Sequence, residues 1–504
     1  MRFGVDFGTT HTTVAYADRG NYPVVSFGNE AGDWIDYIPS LVAWDGAKLV
    51  YGFEAEAVAL TGGDFLRSIK RLLSDVDVTP NTQVSLGERS YPIMELVSGF
   101  LAYVAQQVRE SSTISPLREN EPLEAVIGIP AHAFSGQRLM TIEAFERGGW
   151  QVLSMINEPS AAGFEYTQRY ASTINSKRTR VLVYDLGGGT FDASLVSCEG
   201  KRHEVIDSYG HNQLGGDDFD SVLADLVLAK LGRERAQLSS RELNLLLHEC
   251  RIAKESLNPN SRSVAVEALG KSVSVPVKAF YEAIDELIER TFAAMEPLVH
   301  VNARGKFALT TETAGLYVVG GAAHLPAITR ALKQRYGYRV HRSSYTAAST
   351  AIGLAIAADP DSGYALYDKL SRGVGVFREM RGGQEVSFDP LLGADLSLAP
   401  SGDVSLVRTY QAAHNVGHFR FVEYTETDAY GVPVGEVSPA GTVLFPFTRQ
   451  LQEDPGVDLS EVAVERIDNG PLIEERYVVS SASTVQVTIT DLSTGFSITC
   501  DLGA

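Results

Sequence analysis

Cysteine is scarce: three residues, Cys198, Cys250 and Cys500, serve a chain of 504. Their wide spacing fits neither a disulfide framework nor a zinc site, and a reducing cytoplasm is the compartment expected. Basic charge is short as well, with 43 Lys and Arg against 63 Asp and Glu and a formal net charge of −20 at pH 7. No Lys/Arg-rich run offsets that balance. It would repel phosphate backbones and anionic lipid, so neither nucleic acid nor a membrane is an expected partner. No apolar run is long enough to span a bilayer, and Arg2 and Asp6 leave no room for a signal-peptide core at the N-terminus. What the chain does have is 44% hydrophobic and 21% charged residues, the balance of a soluble globular protein. Its length predicts two or three packed units, because single cores rarely grow past about 250 to 300 residues.

The pattern along the chain is that of an α/β region followed by a β region. Arg2 to Val5 reads as a short strand that enters Asp6-Phe7-Gly8-Thr9-Thr10, and His11 to Tyr16 reads as its return. The same arrangement recurs at Arg180 to Tyr184, an apolar strand running into Asp185-Leu186-Gly187-Gly188-Gly189-Thr190-Phe191-Asp192. A turn repeated after a buried strand predicts two related halves with a cleft between them. A third glycine turn, Gly320-Gly321, follows the apolar run Tyr317 to Val319. Before it, Phe280, Ala283, Ile284, Leu287, Ile288 and Met295 keep the spacing of an amphipathic helix. His248, Cys250 and Lys254 belong to one further helix rather than to a metal site, since no second ligand cluster accompanies them. From about residue 375 short Val-, Phe- and Thr-rich segments predict strands. The plainest is a final hairpin in which Val485, Val487 and Ile489, then Phe496, Ile498, Cys500 and Leu502, alternate with polar residues. Asp359 to Arg372 opens Asp-Pro-Asp-Ser-Gly and reads as a linker.

Glycines at 8, 187, 188 and 189 allow backbone N–H groups to turn toward an anion, and Thr9, Thr10 and Thr190 add hydroxyl donors. Phosphate suits such a cradle. Asp6 and Asp185 at the mouths of the turns would repel it unless a hard cation intervenes, and Mg²⁺, which keeps several of its waters, fits that place. One such turn alone is an ordinary strand-ending β-turn. Two copies, with the pair at Gly320 and Gly321, point to Mg-nucleotide.

On these residues the chain resembles the actin-like ATPase superfamily. Within it the chain is similar to the seventy-kilodalton heat-shock proteins, the DnaK-type chaperones, at Phe65 to Leu73, Ala125 to Arg138, Ile156 to Ala162 and Leu214 to Asp220. The resemblance implies a two-lobed ATPase domain of duplicated ribonuclease-H-like halves over residues 1–358, a linker over 359–374, and a smaller, all-β, sandwich-like domain over 375–504. The last is similar to a peptide-binding domain, and no helical lid is expected after the final hairpin. ATP or ADP with Mg²⁺ is the implied cofactor, and slow hydrolysis to ADP and phosphate the implied reaction. Lys70 is implied to hold the γ-phosphate and the attacking water, and Glu158, Asp192 and Thr190 to help place that water. Asp6 and Asp185 would act through the metal. Gly8, Thr9, Thr10, His11, Gly187, Gly188, Gly189, Gly215, Gly216, Lys254, Gly320 and Gly321 would form the nucleotide cradle. Pro130 and Arg138 would couple the nucleotide to the second domain. The implied partners are an unfolded or extended polypeptide and a co-chaperone or exchange factor. The chain departs from the family pattern at Glu255, Asn258, Ala322, His324 and Ala347, and in its linker. A nucleotide-gated sensor or scaffold with one dedicated protein partner and little hydrolysis is the alternative reading. A kinase or filament-forming relative of the same fold is a third.

Overall fold

Two apolar strands, each running into a glycine turn, organise the longer part of the molecule. Arg2–Phe7, buried at Phe3, Val5 and Phe7, pairs antiparallel with His11–Tyr16 on one side. On its other side it runs parallel to Leu123–Ile129, which is itself parallel to Trp150–Asn157. Arg180–Leu186 repeats the arrangement, antiparallel to Phe191–Glu199 and parallel to Thr313–Val319, which is parallel to Val340–Arg342. A hairpin flanked by two parallel strands thus occurs twice, and the recurrence expected from the turns is a recurrence of topology. Both leading strands run two residues further than the apolar pattern alone suggested, through Phe7 and Leu186, and so carry Asp6 and Asp185 inside the sheet.

The computed structural model describes residues 1–29, 32–118, 120–303, 305–370, 372–380, 385–394, 396–398, 404–454, 456–480 and 483–503. It divides into two units, one of Met1–Asp75, Pro80–His132 and Ile142–Leu366, the other of Val76–Thr79, Ala133–Thr141 and Tyr367–Ala504. Among the described residues no helix is long and apolar enough to cross a membrane.

In the first unit the helices Glu158–Arg169 and Ser349–Ala358 meet backbone to backbone: a Cβ on Gly353 would lie 1.8 Å from the Ala161 carbonyl oxygen. The hairpin Ser263–Ala268 and Lys271–Pro276 buries Val264, Val266, Val273 and Val275 on one face. The helix expected across Phe280 to Met295 is two, Val277–Ala283 and Asp285–Ala294. Its apolar period is kept because the Ile284 N–H still bonds to the Phe280 carbonyl and the Ile288 N–H to the Ile284 carbonyl, both at 3.1 Å. The break is local, with Ile284 at φ −92° and ψ −1°. His248, Cys250 and Lys254 do share one helix, Ser240–Glu255.

The second unit holds two four-stranded sheets. Glu385–Leu392, Gly373–Met380, Val416–Thr427 and Pro433–Pro446 make one; Val404–Gln411, Leu472–Val479, Val485–Asp491 and Ser497–Leu502 make the other. Every pairing in both is antiparallel. One core serves both, with Val376, Phe421 and Phe445 from the first meeting Tyr477, Val487 and Ile489 from the second. Full burial of such side chains is worth about 1.5 to 3 kcal/mol each. Arg378 joins the sheets through two hydrogen bonds, 3.0 and 2.7 Å, to the fully buried Glu475. The segment Ala133–Thr141 belongs to this unit: the Ser135 N–H donates to Glu423 at 3.1 Å, its hydroxyl donates to the same carboxylate, and the Arg372 guanidinium lies 4.1 Å from the centre of the Phe134 ring.

Within the segment read as a linker the backbone is partly regular. Asp359 to Gly363 is a turn, but Ala365–Lys369 is a strand, with the Ala365 N–H bonded to the Lys201 carbonyl at 3.0 Å. A five-residue strand between a turn and a Ser-Arg-Gly step is too short to show its period in sequence. Ser371 and the side chains at 366–369 lie outside the described residues, as do positions 381–384 within the segment Gly373 to Gly393.

Candidate nucleotide-binding site

The turns face one another. In the first, the Gly8 N–H bonds back to the Asp6 carbonyl at 3.0 Å; in the second, the Gly187 N–H bonds to the Thr190 carbonyl at 3.0 Å. A Cβ on Gly188 would lie 3.0 Å from the Thr10 hydroxyl, and one on Gly189 3.0 Å from the Thr9 hydroxyl. Gly215 and Gly216 close on the second turn, with the Gly216 N–H donating to the Gly187 carbonyl at 3.0 Å and the Asp217 N–H to that of Gly188 at 2.7 Å. A side chain on Gly215 would sit 2.6 Å from the Gly188 carbonyl oxygen. Gly320 stands at φ +87°, where a Cβ would come within 2.3 Å of the Leu186 carbonyl and 2.5 Å of an Asp185 carboxylate oxygen. Only glycine meets both demands. Gly321 has no atom within 4 Å of where a Cβ would be.

Beside these turns, four carboxylates gather around one ammonium group. Asp185 and Asp192 are opposite partners in the second hairpin, and Lys70 donates to Glu158 at 2.5 Å; the lysine is 5% exposed and the glutamate 8%. A lysine on a solvated basic face is thereby ruled out. Burial and Glu158 push Asp6 up to about 7 against the pull of Lys70. Asp192 is pushed up to about 8 by burial and Glu158, and Asp185 well above its ordinary value by burial, Glu158, Asp6 and Asp192. For Lys70 burial works downward, but Glu158 and Asp6 outweigh it and hold the ammonium charged. One Asp192 carboxylate oxygen is shielded and has no hydrogen-bond partner. Four ionised carboxylates would hold more negative charge than the one lysine neutralises, and the raised values of Asp6, Asp185 and Asp192 are the response to that excess.

That excess bears on the metal. Among the described residues no three His, Cys, Asp or Glu side chains converge to cage an ion. Two carboxylates, Asp6 and Asp185, at the mouths of the glycine turns fit instead a hard cation that keeps several of its waters. The glycine cradle and the unpartnered Asp192 oxygen agree with that donor set.

Sequence reasoning did not anticipate the side chains that tie Lys70's segment down. Ser68, at φ +59°, turns the chain from the strand Asp64–Arg67 into the short helix Ile69–Leu72. Arg67 donates to Asp217 at 2.6 Å and to the fully buried Asp220 at 2.8 Å, and the Ser68 hydroxyl donates to Asp217 at 2.6 Å. Asp217 and Asp220 begin the helix Gly216–Leu231, far away in sequence, and nothing local marks the pairing. The only sequence signal was the unusual density of charge in Leu214 to Asp220.

Lys254 reaches the same carboxylate, 2.6 Å from Asp220, and donates to the Gly216 carbonyl at 2.8 Å. His11 packs on Tyr37 with ring centres 3.9 Å apart; burial, with Arg251 and Lys254 nearby, pushes it down to about 3, so the ring is neutral and Glu255, 4.0 Å away, makes no ion pair with it. Ala322 and His324 lie on a single helical turn after Gly321, and the Gly320 N–H bonds to the Thr346 carbonyl, next to Ala347, at 2.9 Å.

Comparison with known proteins gives the same direction. The family described as Hsp70 protein matches residues 2–370. The chain is similar to a chaperone protein HscA homolog of Ralstonia nicotianae, 32% identical over 353 residues, covering 67% of this chain and 54% of that protein. It is similar to the HscA homolog of Shewanella denitrificans, 31% over 404 residues, 75% of this chain and 62% of that one. To chaperone protein DnaK of Mesomycoplasma hyopneumoniae it is 30% identical over 365 residues, 70% and 57%. The chain therefore matches a little over half the length of these curated relatives.

Proposed function

The chain belongs to the Hsp70 protein family, and on that premise we propose that it binds Mg-ATP between two actin-like lobes within residues 1–358 and hydrolyses it slowly, the nucleotide state controlling polypeptide binding by the β-rich region 375–504 beyond the linker 359–374. Members of the family are ATPases and its named relatives are chaperones. The observation that carries the reading is the pair of facing glycine turns with buried Lys70 held by Glu158 beside Asp6, Asp185 and Asp192.

In this reading Gly8, Thr9, Thr10, His11, Gly187, Gly188, Gly189, Gly215 and Gly216 present backbone and hydroxyl donors to the phosphates, and Lys254, Gly320 and Gly321 border the nucleoside. Asp6 and Asp185 would hold the magnesium, which when bound would supply charge to neutralise the phosphates. Lys70, fixed by Glu158, keeps its proton and aims its charge into the cleft. Glu158, Asp192 and Thr190 orient the attacking water; Asp192, pushed up to about 8, holds its own proton at neutral pH in the ligand-free site. Such a site works by positioning and electrostatics. Two antiparallel sheets on one core support a sandwich-like second domain, and extended polypeptide bound at strand edges suits it. A co-chaperone or exchange factor, and action in the cytoplasm, complete the proposal.

Single-turnover hydrolysis of Mg-ATP tests it, with Lys70→Ala beside the parent and nucleotide occupancy measured in both. Removing one preorganised donor typically raises the barrier by about 3 to 4 kcal/mol, so turnover is expected to fall about 100- to 1,000-fold with binding retained. Undiminished turnover in the variant refutes the assignment. One observation favours a second reading, a nucleotide-gated sensor serving one protein partner: Lys254 is already committed to Asp220. Tight binding with no turnover in the parent would select it.

A further inference from the structure

In the second unit residues 447–471 connect the strands Pro433–Pro446 and Leu472–Val479, and connections longer than about 12 to 15 residues usually carry a function or stay disordered. The last stretch of this one is fixed. Val404–Gln411 pairs antiparallel with Leu472–Val479 as far as Gln411 and Leu472, and the ladder runs one bond further, from the Ala412 N–H to the Pro471 carbonyl at 2.9 Å. Just upstream the chain turns at Asn469, which stands at φ +54°, and at Gly470, where a Cβ would lie 2.2 Å from the Ala412 carbonyl oxygen. Residues 463–467, before that turn, lie against Ala413 to Asn415 as an added antiparallel segment with His414 opposite Arg466.

Four hydrogen bonds hold the segment, and each ends on its backbone. The Asn415 N–H donates to the Glu465 carbonyl and the Ile467 N–H to the Ala413 carbonyl, both at 3.0 Å. The Asn415 side chain makes the other two: its amide donates to the Ala463 carbonyl at 2.9 Å, and its oxygen accepts from the Glu465 N–H at 2.8 Å. The side-chain anchor is Arg466, which donates at 2.5 Å to Glu379 on the strand Gly373–Met380 of the other sheet; His414 Nε2 lies 3.3 Å from the second oxygen of that carboxylate. None of residues 463–467 is buried, and Val464 is 61% exposed, whereas Ile473, Tyr477 and Val479 in the strand that follows are fully buried. An edge that reads backbone alone accepts any extended sequence, and a segment that buries so little opens at low cost.

We propose that residues 463–467 are an internal strap, seated on the edge Ala413 to Asn415 in the manner of a bound polypeptide, which must leave before an extended segment of another chain can add there. The proposal rests on the reading of the second unit as a polypeptide-binding domain, and it supplies a control for that domain. Apparent affinity is then set by the fraction of molecules whose strap is open. Asn469 and Gly470 are the hinge, and the Arg466 to Glu379 contact is the catch that an incoming segment has to undo.

The test measures binding of a dye-labelled, unstructured, leucine-rich peptide to the full chain by fluorescence anisotropy. One variant carries His414→Cys and Arg466→Cys, with the half-buried Cys500 changed by Cys500→Ser so that only the buried Cys198 and Cys250 remain besides. Opposite residues flanked by the two hydrogen bonds of an antiparallel pair have Cα atoms about 4.5 Å apart, a separation that a disulfide spans. Oxidation therefore locks the strap. The other variant, Glu465→Pro with Ile467→Pro, removes two N–H donors from the strap and leaves the edge itself unchanged. The oxidised protein is expected to bind with a Kd at least about 10-fold above that of the same protein after reduction, and the proline variant with a Kd about 3- to 10-fold below the parent's. Because the locked and unlocked forms are one protein, a loss that reduction reverses is not a folding defect. Equal affinity in the oxidised, reduced and proline-substituted proteins overturns the strap and leaves polypeptide binding standing. Absence of binding in every form, the proline variant included, overturns the polypeptide reading and the strap with it.

Discussion

Replacing Asp192 by asparagine should stabilise the ligand-free protein, because the structure buries that carboxylate where its charge is unwelcome. Asp192 is 2% exposed, one of its oxygens has no hydrogen-bond partner, and burial with Glu158 nearby pushes its pKa from an ordinary 3.8 up to about 8. An acid whose pKa is higher folded than unfolded costs nothing well below pH 3.8. The cost grows as the unfolded chain ionises and levels off once pH passes about 8. From 3.8 to pH 7, at about 1.4 kcal/mol per pH unit, the ceiling is about 4 kcal/mol. Asparagine keeps the acceptor for the Ala131 N–H, but its amide N–H groups need partners. A mismatch of about 1 to 3 kcal/mol leaves an expected gain of about 1 to 3 kcal/mol at pH 7. The assay is urea unfolding of nucleotide- and magnesium-free protein at pH 5, 6, 7 and 8, followed by tryptophan emission. Trp34, Trp44 and Trp150, the three tryptophans of the chain, all lie in the first unit and report its transition. The midpoint difference between variant and parent should widen as pH rises from 5 to 8. A variant less stable than the parent at pH 8, or a difference that does not change with pH, refutes the reasoning.

Two further perturbations probe the scaffold of the site by the same fluorescence assay. Gly320→Ala forces a Cβ to within 2.3 Å of the Leu186 carbonyl at φ +87°. Backbone strain and overpacking together should cost about 3 kcal/mol, and a midpoint equal to the parent's would show that the turn does not need glycine. Arg67→Ala strips one partner from Asp217 and from the fully buried Asp220. Breaking a buried pair costs about 3 to 5 kcal/mol, and the low end is expected because Lys254 still holds Asp220 and Ser68 still holds Asp217. Asp217 is held below its ordinary 3.8, since Arg67 and Ser68 outweigh its burial. Its share of that stability is therefore present above pH 4 and lost as pH falls through the lower folded value, so the parent's advantage over Arg67→Ala should shrink below pH 4. An advantage undiminished there would sever Asp217 from the effect.

The sequence spoke most clearly where local chemistry and topology coincide. An apolar strand running into an Asp-x-Gly turn has few ways to continue, and both copies became hairpins flanked by parallel strands. The final hairpin was equally legible because Val485, Val487 and Ile489 point one way and are fully buried. Lys70 was not legible in the same way. Among Arg67, Arg71 and Leu72 it reads as part of a basic surface, and its burial depends on acids that other elements deliver: Glu158 to Lys70, Asp217 and Asp220 to Arg67. Long-range pairing of this kind leaves no periodic trace. The break at Ile284 and the strand Ala365–Lys369 escaped for a different reason, since hydrophobic spacing reports which face is buried and not whether the backbone stays regular over one turn.

The strand Arg180–Leu186 shows how the fold tolerates a site that works against it. Val181, Leu182, Val183, Tyr184 and Leu186 are all fully buried. At about 1.5 to 3 kcal/mol each, their burial contributes about 8 to 15 kcal/mol on the transfer scale. Asp185, between Tyr184 and Leu186, is the one charged residue of that buried run, and its carboxylate is pushed well above its ordinary value by burial and by Glu158, Asp6 and Asp192. The surplus from its neighbours exceeds what one such group costs, so the strand keeps its register and the acid stays where the two turns meet. Any ligand that neutralises the carboxylates only in the folded state must then raise stability as it binds. The repulsion stored among Asp6, Asp185, Asp192 and Glu158 is what gives a cation its preference for the folded protein, and the apolar strands are what make that repulsion bearable in its absence.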